Sequence, residues 1–166
     1  AGPTREPIDP VRYISNHSSG KMGYALASAA SKAGARVILV SGPVALAPPI
    51  GVEVRQVLTA EDMLREASNA VDEGCDLFIA TAAVADYRPE TCAGDKIKKS
   101  SEAMALSLVR NPDTLATIAG RDDAPFTVGF AAETTDVASY AIDKMQRKKL
   151  NMIVANDVSA PGLGFN

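Results

Sequence analysis

The feature that most constrains the fold is a repeated alternation between short apolar runs and segments with helical periodicity. Residues 35–40 (ARVILV), 76–80 (DLFIA), 126–130 (FTVGF) and 151–155 (NMIVA) are short and apolar, which predicts buried strands. Residues 52–57 (VEVRQV) alternate, which indicates a strand with one wetter face near an edge. Strands that alternate with helices predict an α/β fold: a Rossmann-like, doubly wound, mostly parallel sheet with helices on both faces.

Four segments between or beside these strands carry helix signals. Residues 22–33 place their apolar side chains on one helical face, and Gly34 ends the pattern. Residues 59–73 begin with Thr-Ala-Glu-Asp, and residues 111–119 begin with Asn-Pro-Asp, interpreted as an Asn cap followed by Pro at the first helical position. Residues 134–149 end in Lys-Lys, which suits the helix dipole. Ligands of such folds bind at the carboxyl ends of the strands.

Composition excludes several classes of protein. The 166 residues are enough for one domain with a core. The net charge of −3 gives no general basic surface for nucleic acid, and no run reaches the roughly 18 apolar residues of a membrane span. Cys75 and Cys92 form no CxxC pair, so we interpret them as free thiols. We therefore expect a cytoplasmic protein that binds neither nucleic acid nor membrane.

Both ends have the character of loops. The chain opens on AGPTREP, which we interpret as a loop, and stops at PGLGFN. Because a nucleotide-binding loop normally follows a strand, we expect a fragment of a longer protein that lacks a first strand and the C-terminal end.

The first segment with binding chemistry is RYISNHSSGKMG, residues 12–23, which leads into the first helix. A helix N-terminus attracts phosphate, and glycines at 20 and 23 permit close approach of a ligand. The segment is neither a Walker A loop, because Ser15 and Met22 stand at its Gly and Ser/Thr positions, nor a GxGxxG turn. A helix cap with small packing residues is the alternative.

Two further segments follow strand ends or interrupt the pattern. In ATAAVADYR, residues 80–88, small residues leave room for a ligand, and Asp86 either binds Mg²⁺ or caps a turn. Residues 87–105 are long and irregular, which predicts a lid or binding loop. DKIKK, residues 95–99, lies on it and either folds over a triphosphate or is a solvated charge run.

The last third of the chain adds weaker signals. Phe130 either stacks on a base or belongs to the core, and Lys144 and Lys148 either contact phosphates or stabilise the helix dipole. The AND triplet at 155–157 ends the last strand. The only histidine is His17, which excludes a His-rich metal site.

Taken in order, the segments GPTREPIDPVRYISNHSSGKMG, AAVADYRP, KIKK, RNPD, VGFAAET and VANDVS resemble phosphopantothenoylcysteine synthetase. The resemblance covers essentially the whole chain and implies one nucleotide-binding synthetase domain over residues 1–166. In bacteria this domain is usually fused to a flavin-dependent phosphopantothenoylcysteine decarboxylase, within a bifunctional coenzyme A biosynthesis protein.

The resemblance implies a ligase that joins 4′-phosphopantothenate to cysteine. The carboxylate attacks the α-phosphate of CTP, with Mg²⁺ present, to give an acyl-cytidylate and pyrophosphate. The cysteine amine then attacks the acyl group and releases CMP. The choice of CTP over the ATP used by eukaryotic members rests on the resemblance alone.

The resemblance also assigns roles to residues. Asn16 is similar to the asparagine that holds the carboxylate and the acyl-cytidylate, and Lys96 to the lysine needed to form that intermediate. Asp86 is a further catalytic residue near the metal, and Arg12 reaches into the neighbouring site of a homodimer. The implied substrate contacts are Arg12, Asn16, Ala82, Ala83 and Asp86, and the implied nucleotide contacts are Gly2, Ser18, Gly20, Gly23, Ala80, Thr81, Ala82, Asp86, Lys96, Pro112, Asp113, Thr114, Leu115, Phe130, Lys144, Lys148 and Asn156.

Two other functions fit parts of the sequence. Tyr140 and Lys144 match the Y-x-x-x-K pattern of short-chain reductases, but the chain lacks their TGxxxGxG turn. A non-catalytic nucleotide-binding module is the second alternative. The presence of both Asn16 and Lys96 favours an active enzyme.

Overall fold

The computed structural model describes residues 1–98, 103–133 and 137–157, in which parallel strands alternate with helices. The strands are β1 (Arg5–Pro7), β2 (Tyr13–Ser15), β3 (Val37–Ser41), β4 (Val52–Gln56), β5 (Leu77–Ala80), β6 (Tyr87–Pro89), β7 (Leu108–Arg110), β8 (Phe126–Glu133) and β9 (Met152–Asp157). The helices are α1 (Lys21–Lys32), α2 (Ala60–Asp72), α3 (Thr114–Ala119) and α4 (Val137–Arg147).

The five strands predicted from apolar or alternating runs all form, and all pair in parallel. β3 pairs with β4, and β8 lies between β5 and β9. Parallel strands need covering on both faces, which explains the apolar composition of β3, β5, β8 and β9. The expected α/β architecture is therefore confirmed.

Residues 1–4 run between the two parallel sheets. The Ala1 amino group donates to the Val40 carbonyl at 2.6 Å, and the Gly42 amide donates to the Ala1 carbonyl at 2.9 Å. On the other side Pro3 forms a parallel bridge with Ala83, just after β5. The spatial order is therefore β4, β3, residues 1–4, β5, β8, β9. With residues 1–4 as the first strand, this is the strand order of Rossmann folds.

The helices pack on the sheets through two small cores. Tyr24 and Ala27 of α1 bury themselves against Leu39 of β3. Leu115 of α3 packs with Leu150, just before β9, in a second cluster. None of the described helices is long and apolar enough to cross a membrane.

The α2 helix begins as its sequence predicts. The Thr59 hydroxyl accepts a hydrogen bond from the Asp62 amide at 3.1 Å, and the Asp62 carboxylate accepts one from the Thr59 amide at 3.1 Å. This reciprocal capping box satisfies two amides at the start of the helix.

Two antiparallel strand pairs were not predicted. β1 lies inside the opening AGPTREP segment, which we interpreted as a loop, and it pairs with β2. β6 pairs with β7, so the segment 87–105, predicted as irregular, begins with a strand and forms much of the connection of a hairpin. Strands of three residues are too short to show an alternating pattern, which is why both predictions were wrong.

The predicted start of α3 was also wrong. Asp113, rather than Asn111, is the N-cap: its carboxylate accepts a hydrogen bond from the Ala116 amide at 3.0 Å, and Thr114 is the first helical residue. Both Asn and Asp are good caps, so the Asn-Pro-Asp sequence offered two solutions. For α4, the predicted start at Thr134 lies outside the described residues.

Candidate active site

A cavity of about 830 Å³ opens at the carboxyl ends of the parallel strands and extends down between β3 and β5. Its size is in the range of small-molecule sites. Its upper part is lined by residues that the sequence predicted as nucleotide or substrate contacts: Gly23, Ala80, Thr81, Ala82, Asp86, Pro112, Asp113, Thr114, Leu115, Lys144 and Lys148.

Other predicted residues lie outside the lining of this cavity. For Asn156 the structure describes the backbone, opposite Ala132 on β8, and its predicted side-chain contact lies outside what is described. The remaining predicted residues outside the lining are Gly2, Arg12, Asn16, Ser18, Gly20, Ala83, Lys96 and Phe130.

Three predicted glycines meet at the start of α1. Gly20 is the N-cap of α1, has a φ of 74°, and makes no side-chain cap hydrogen bond. A Cβ on Gly20 would lie 3.5 Å from the Gly2 Cα, and one on Gly23 would lie 2.6 Å from the Thr81 hydroxyl oxygen. The first turn carries no acidic residue. This arrangement brings backbone close together at a helix N-terminus, where an anion is favoured.

Asn16 approaches the loop after β5. Its amide nitrogen donates to the Val84 carbonyl at 3.1 Å and lies 3.5 Å from the Ala83 carbonyl oxygen. The side chain is exposed, and Ser18 nearby accepts a weak hydrogen bond from the Gly20 amide at 3.3 Å. The structure therefore joins the predicted substrate residues Asn16 and Ala83, which are 67 positions apart.

Asn111 has a positioning role that the sequence analysis missed. Its side-chain amide donates to the Ala85 carbonyl at 2.8 Å, and its backbone amide donates to the Asp86 carbonyl at 2.8 Å. The Arg88 guanidinium donates to the Asn111 side-chain oxygen at 3.1 Å. These bonds fix the loop that carries Asp86 against the segment leading into α3. The Asn-Pro pair was the available signal, but we interpreted it as a helix cap.

Two lysines of α4 reach the wall of the cavity. The Lys148 ammonium forms an ion pair of 2.7 Å with the Asp113 carboxylate, and Lys144 donates to the Phe130 carbonyl at 2.7 Å. Burial alone would raise the pKa of Asp113, but hydrogen bonds from Lys148 and from the Ala116 amide lower it below its usual value. The Asp113 carboxylate is therefore ionised at neutral pH and partly neutralises the positive charge of Lys148.

The lining also contains an unsatisfied hydroxyl. Thr114 is 8% exposed, and within the described part of the chain its hydroxyl oxygen is buried without a hydrogen-bond partner. Buried polar groups normally have a partner, so an orphan in a cavity wall indicates a position where a bound molecule or water supplies one. Phe130 is half-buried on β8, and its carbonyl accepts a hydrogen bond from Lys144.

The backbone next to Lys96 is fixed by a cluster that we call the Asp9 clamp, formed by Asp9, Arg12 and Ile97. The buried Asp9 carboxylate accepts hydrogen bonds from the Ile97 amide at 3.2 Å and from the Arg12 guanidinium at 2.5 and 3.0 Å. Arg12 also donates to the Ile97 carbonyl at 3.1 Å. Both polar backbone groups of the residue after Lys96 are thus fixed, while the Lys96 side chain is exposed.

The clamp bears on the role predicted for Arg12. Its guanidinium is engaged with Asp9 and Ile97 of its own chain, although its side chain is still 39% exposed. A role in a neighbouring subunit's site stays a prediction, and it would require Arg12 to serve both contacts.

The metal prediction has one supporting feature. Among the described residues, no group of three or more His, Cys, Asp or Glu side chains is placed to hold a metal ion. Mg²⁺ at nucleotide sites is commonly held by one or two carboxylates together with substrate phosphates. The exposed Asp86 in the cavity wall fits that kind of site, in which the nucleotide supplies most of the ligands.

Comparisons with known proteins cover the whole chain. The family model of the DNA/pantothenate metabolism flavoprotein C-terminal domain matches residues 1–166. The chain is 59% identical over 169 residues to the coenzyme A biosynthesis bifunctional protein CoaBC of Vibrio parahaemolyticus, and 54% identical over 170 residues to that of Escherichia coli. Each match covers 100% of this chain and 42% of the relative.

A solved structure shares this fold. The crystal structure of the C-terminal domain of a coenzyme A biosynthesis bifunctional protein CoaBC superposes with a TM-score of 0.82 at 51% identity. It covers 95% of this chain and 74% of the other. Since the family model spans every residue and the fold agrees, the chain belongs to the family of the DNA/pantothenate metabolism flavoprotein C-terminal domain.

Proposed function

We propose that this chain is a phosphopantothenate–cysteine ligase of coenzyme A biosynthesis. CTP activates the carboxylate of 4′-phosphopantothenate, and the cysteine amine then forms the amide. The observation that carries the proposal is the strand-end cavity lined by Asp86, Thr114, Lys144 and Lys148. It is supported by relatives named for coenzyme A biosynthesis.

The first step joins the carboxylate to the nucleotide. A carboxylate oxygen attacks the α-phosphorus of CTP, and the bond to the β-phosphate oxygen breaks to release pyrophosphate. Lys144 and Lys148 offset the phosphate charge, and the N-terminus of α1 adds a partial positive charge. Mg²⁺ bound with Asp86 would supply further charge neutralisation. Phosphoryl transfer of this kind depends on positioning and charge stabilisation rather than on a protein nucleophile.

The second step forms the product. The cysteine nitrogen attacks the acyl carbon, the bond to the CMP oxygen breaks, and the amine proton passes to solvent. Asn16 holds the acyl-cytidylate beside the loop after β5, where its amide donates to the Val84 carbonyl.

Lys96 acts in the first step. Its position is fixed through the neighbouring Ile97, and it stabilises the charge that develops as the acyl-cytidylate forms.

The proposed assembly follows from the same function. The chain spans 42% of the length of these relatives, which leaves room for a fused decarboxylase half. We place the enzyme in the cytoplasm as a homodimer, in which Arg12 reaches the neighbouring site.

The test is pyrophosphate release by the longer natural polypeptide with phosphopantothenate, Mg²⁺ and either CTP or ATP, with and without cysteine. Lys96→Gln is expected to abolish release, because the intermediate does not form. Asn16→Asp is expected to retain CTP binding and to slow the cysteine step. The matched control is Lys32→Gln, which removes the same charge at the far end of α1 and should leave release unchanged.

Three outcomes would contradict parts of the proposal. Normal pyrophosphate release by Lys96→Gln would remove that lysine from the first step. Saturable CTP binding without release by the natural polypeptide would indicate a non-catalytic nucleotide module. Absence of any CTP or ATP binding would leave the reductase alternative, for which NADPH binding is the assay.

A further inference from the structure

The position of the Asp86 carboxylate is set by its backbone. The side chain is exposed in the cavity wall and makes no hydrogen bond or ion pair within the described residues 1–98, 103–133 and 137–157. A side chain without a partner samples several rotamers, and each rotamer is referred to the main chain that carries it. Where the carboxylate points in the cavity therefore depends on how the main chain of Ala85 and Asp86 is held.

Asn111 holds this stretch through its main chain and through its side chain. The register that pairs Tyr87 with Arg110 continues to Asp86 and Asn111, where the Asn111 amide donates to the Asp86 carbonyl at 2.8 Å. The side-chain nitrogen of Asn111 donates to the Ala85 carbonyl at 2.8 Å. That second bond requires the nitrogen of the side-chain amide to face Ala85, because the amide oxygen is an acceptor and has nothing to donate.

Arg88 fixes this orientation of the Asn111 side chain. Its Nη1 donates to the Asn111 side-chain oxygen at 3.1 Å and to the Arg110 carbonyl at 3.0 Å. With its oxygen bonded to a cationic donor, the Asn111 amide turns its NH₂ group toward Ala85. Arg88 lies outside the lining of the cavity, so it acts on the site through its neighbours.

The third contact of Arg88 is peripheral. Its Nη2 lies 3.0 Å from a carboxylate oxygen of Glu61, in the first turn of α2. The side chain of Glu61 is 59% exposed and that of Arg88 is 32% exposed. Exposed ion pairs are screened by water and salt and contribute little. The two bonds to Arg110 and Asn111 are therefore the ones that matter for the loop.

The opposite side of the same loop is held independently of Arg88. The Ala83 amide donates to the Gly2 carbonyl at 2.9 Å, and the Ala85 amide donates to the hydroxyl of the fully buried Thr4 at 3.0 Å. These anchors lie on residues 2–4, on the other side of the loop from Asn111. They provide a reference against which loosening on the Asn111 side can be measured.

We propose that Arg88 is a positioning residue of this site. It orients the side-chain amide of Asn111, which holds Ala85 and Asp86 and so directs the Asp86 carboxylate into the cavity. The catalytic part of this inference rests on the proposed function, in which Asp86 binds Mg²⁺ together with substrate phosphates. Without Arg88 the Asn111 amide is free to rotate, and the carboxylate is no longer fixed where the metal is needed.

The first test follows amide hydrogen exchange in the longer natural polypeptide. Arg88→Met keeps an unbranched side chain and removes the guanidinium. We expect the Asn111 amide, which donates to Asp86, to exchange about ten- to a hundredfold faster than in the parent. The Ala83 amide should keep its parent rate, because its anchor does not involve Arg88. Glu61→Gln removes the ion pair alone and is the matched control, in which both amides should be unchanged.

The second test measures pyrophosphate release with phosphopantothenate, CTP and a varied concentration of Mg²⁺. Arg88→Met should raise the Mg²⁺ concentration for half-maximal release about tenfold, as expected when the outer partner of a metal-binding carboxylate is lost. Glu61→Gln should behave as the parent. When Arg88→Met is combined with Asn111→Ala, it should add little to the effect of Asn111→Ala alone, because both changes remove the same contact.

Three results would overturn the proposal. One is an Asn111 amide that exchanges equally fast in Arg88→Met and in the parent. Another is an unchanged Mg²⁺ dependence in Arg88→Met, which would separate Arg88 from Asp86. A third is a double variant whose losses add in full, which would mean that Arg88 acts elsewhere. If the parent releases no pyrophosphate, the proposed function fails, and the exchange of the Asn111 amide still decides whether Arg88 positions the loop.

Discussion

At the scale of single residues, we expect removal of the Thr114 hydroxyl to stabilise the fold and to weaken nucleotide binding. The oxygen is buried in the cavity wall without a partner among the described residues. A buried hydroxyl without a hydrogen bond is unfavourable, so Thr114→Val, which keeps the shape, should raise the free energy of unfolding by about 1 kcal/mol. If the nucleotide supplies the missing partner, the same change should weaken CTP binding roughly three- to tenfold.

Both effects can be measured by urea unfolding and by calorimetric titration with CTP. The matched control is Thr117→Val, one turn further along α3, where the side chain is exposed and both quantities should stay unchanged. A Thr114→Val variant that is less stable than the parent would mean that the hydroxyl has a partner in the protein itself. Equal CTP affinity would mean that it does not meet the nucleotide.

At the scale of elements, the Asp9 clamp connects the β1–β2 hairpin to the segment that carries Lys96. The Arg12 guanidinium, together with backbone amides that include Ile97, holds the pKa of Asp9 well below its usual range. Asp9→Asn removes the charge and places an amide NH₂ among N–H donors. We expect pyrophosphate release to fall ten- to a hundredfold, because a displacement of about 1 Å at Lys96 is costly, while the Kd for CTP changes little.

The control for the clamp is Asp122→Asn, which removes a carboxylate at an exposed position. Circular dichroism and thermal unfolding establish that the Asp9→Asn variant is folded before its kinetics are compared. A parallel loss of CTP binding and turnover would contradict a positioning role and would indicate a general disruption of the hairpin.

The elements also show how far the sequence could predict this fold. Every parallel strand was predictable, because four of them are short apolar runs, such as that of β3, and β4 has an alternating pattern. The short antiparallel strands β1, β2, β6 and β7 were not, because three residues hold no readable period. The cap of α3 was predicted wrongly because Asn111 and Asp113 are both good N-cap residues, and it is Asp113 that accepts the hydrogen bond from the Ala116 amide.

The candidate site was predictable in part for a similar reason. Small residues and Asp86 after β5, and the lysines of α4, lie where the architecture binds ligands, and the structure brings them to one cavity. Long-range hydrogen bonds leave no trace in local sequence. The bonds from Asn111 to Ala85 and from the Ile97 amide to Asp9 join residues 26 and 88 positions apart, so no pattern predicted them.

At the scale of the whole molecule, ionised carboxylates make stability depend on pH. Arg12 lowers the pKa of Asp9, Arg55 that of Glu73, and Arg121 that of Asp123. A carboxyl group whose pKa is lower in the folded state binds protons more readily when unfolded. Its contribution is therefore complete above the unfolded pKa, near 4, and is lost as pH falls through the folded value.

We therefore expect the urea midpoint of unfolding to fall progressively below about pH 5. Circular dichroism at pH 7, 5, 4 and 3.5 and constant ionic strength measures it. Added salt should weaken the contributions of Glu73 and Asp123, which are exposed, more than that of the buried Asp9. The Asp9→Asn variant should accordingly show a shallower decline at every salt concentration. A midpoint that is the same at pH 4 as at pH 7 would contradict the assignment, because it requires equal proton binding by the folded and unfolded chains.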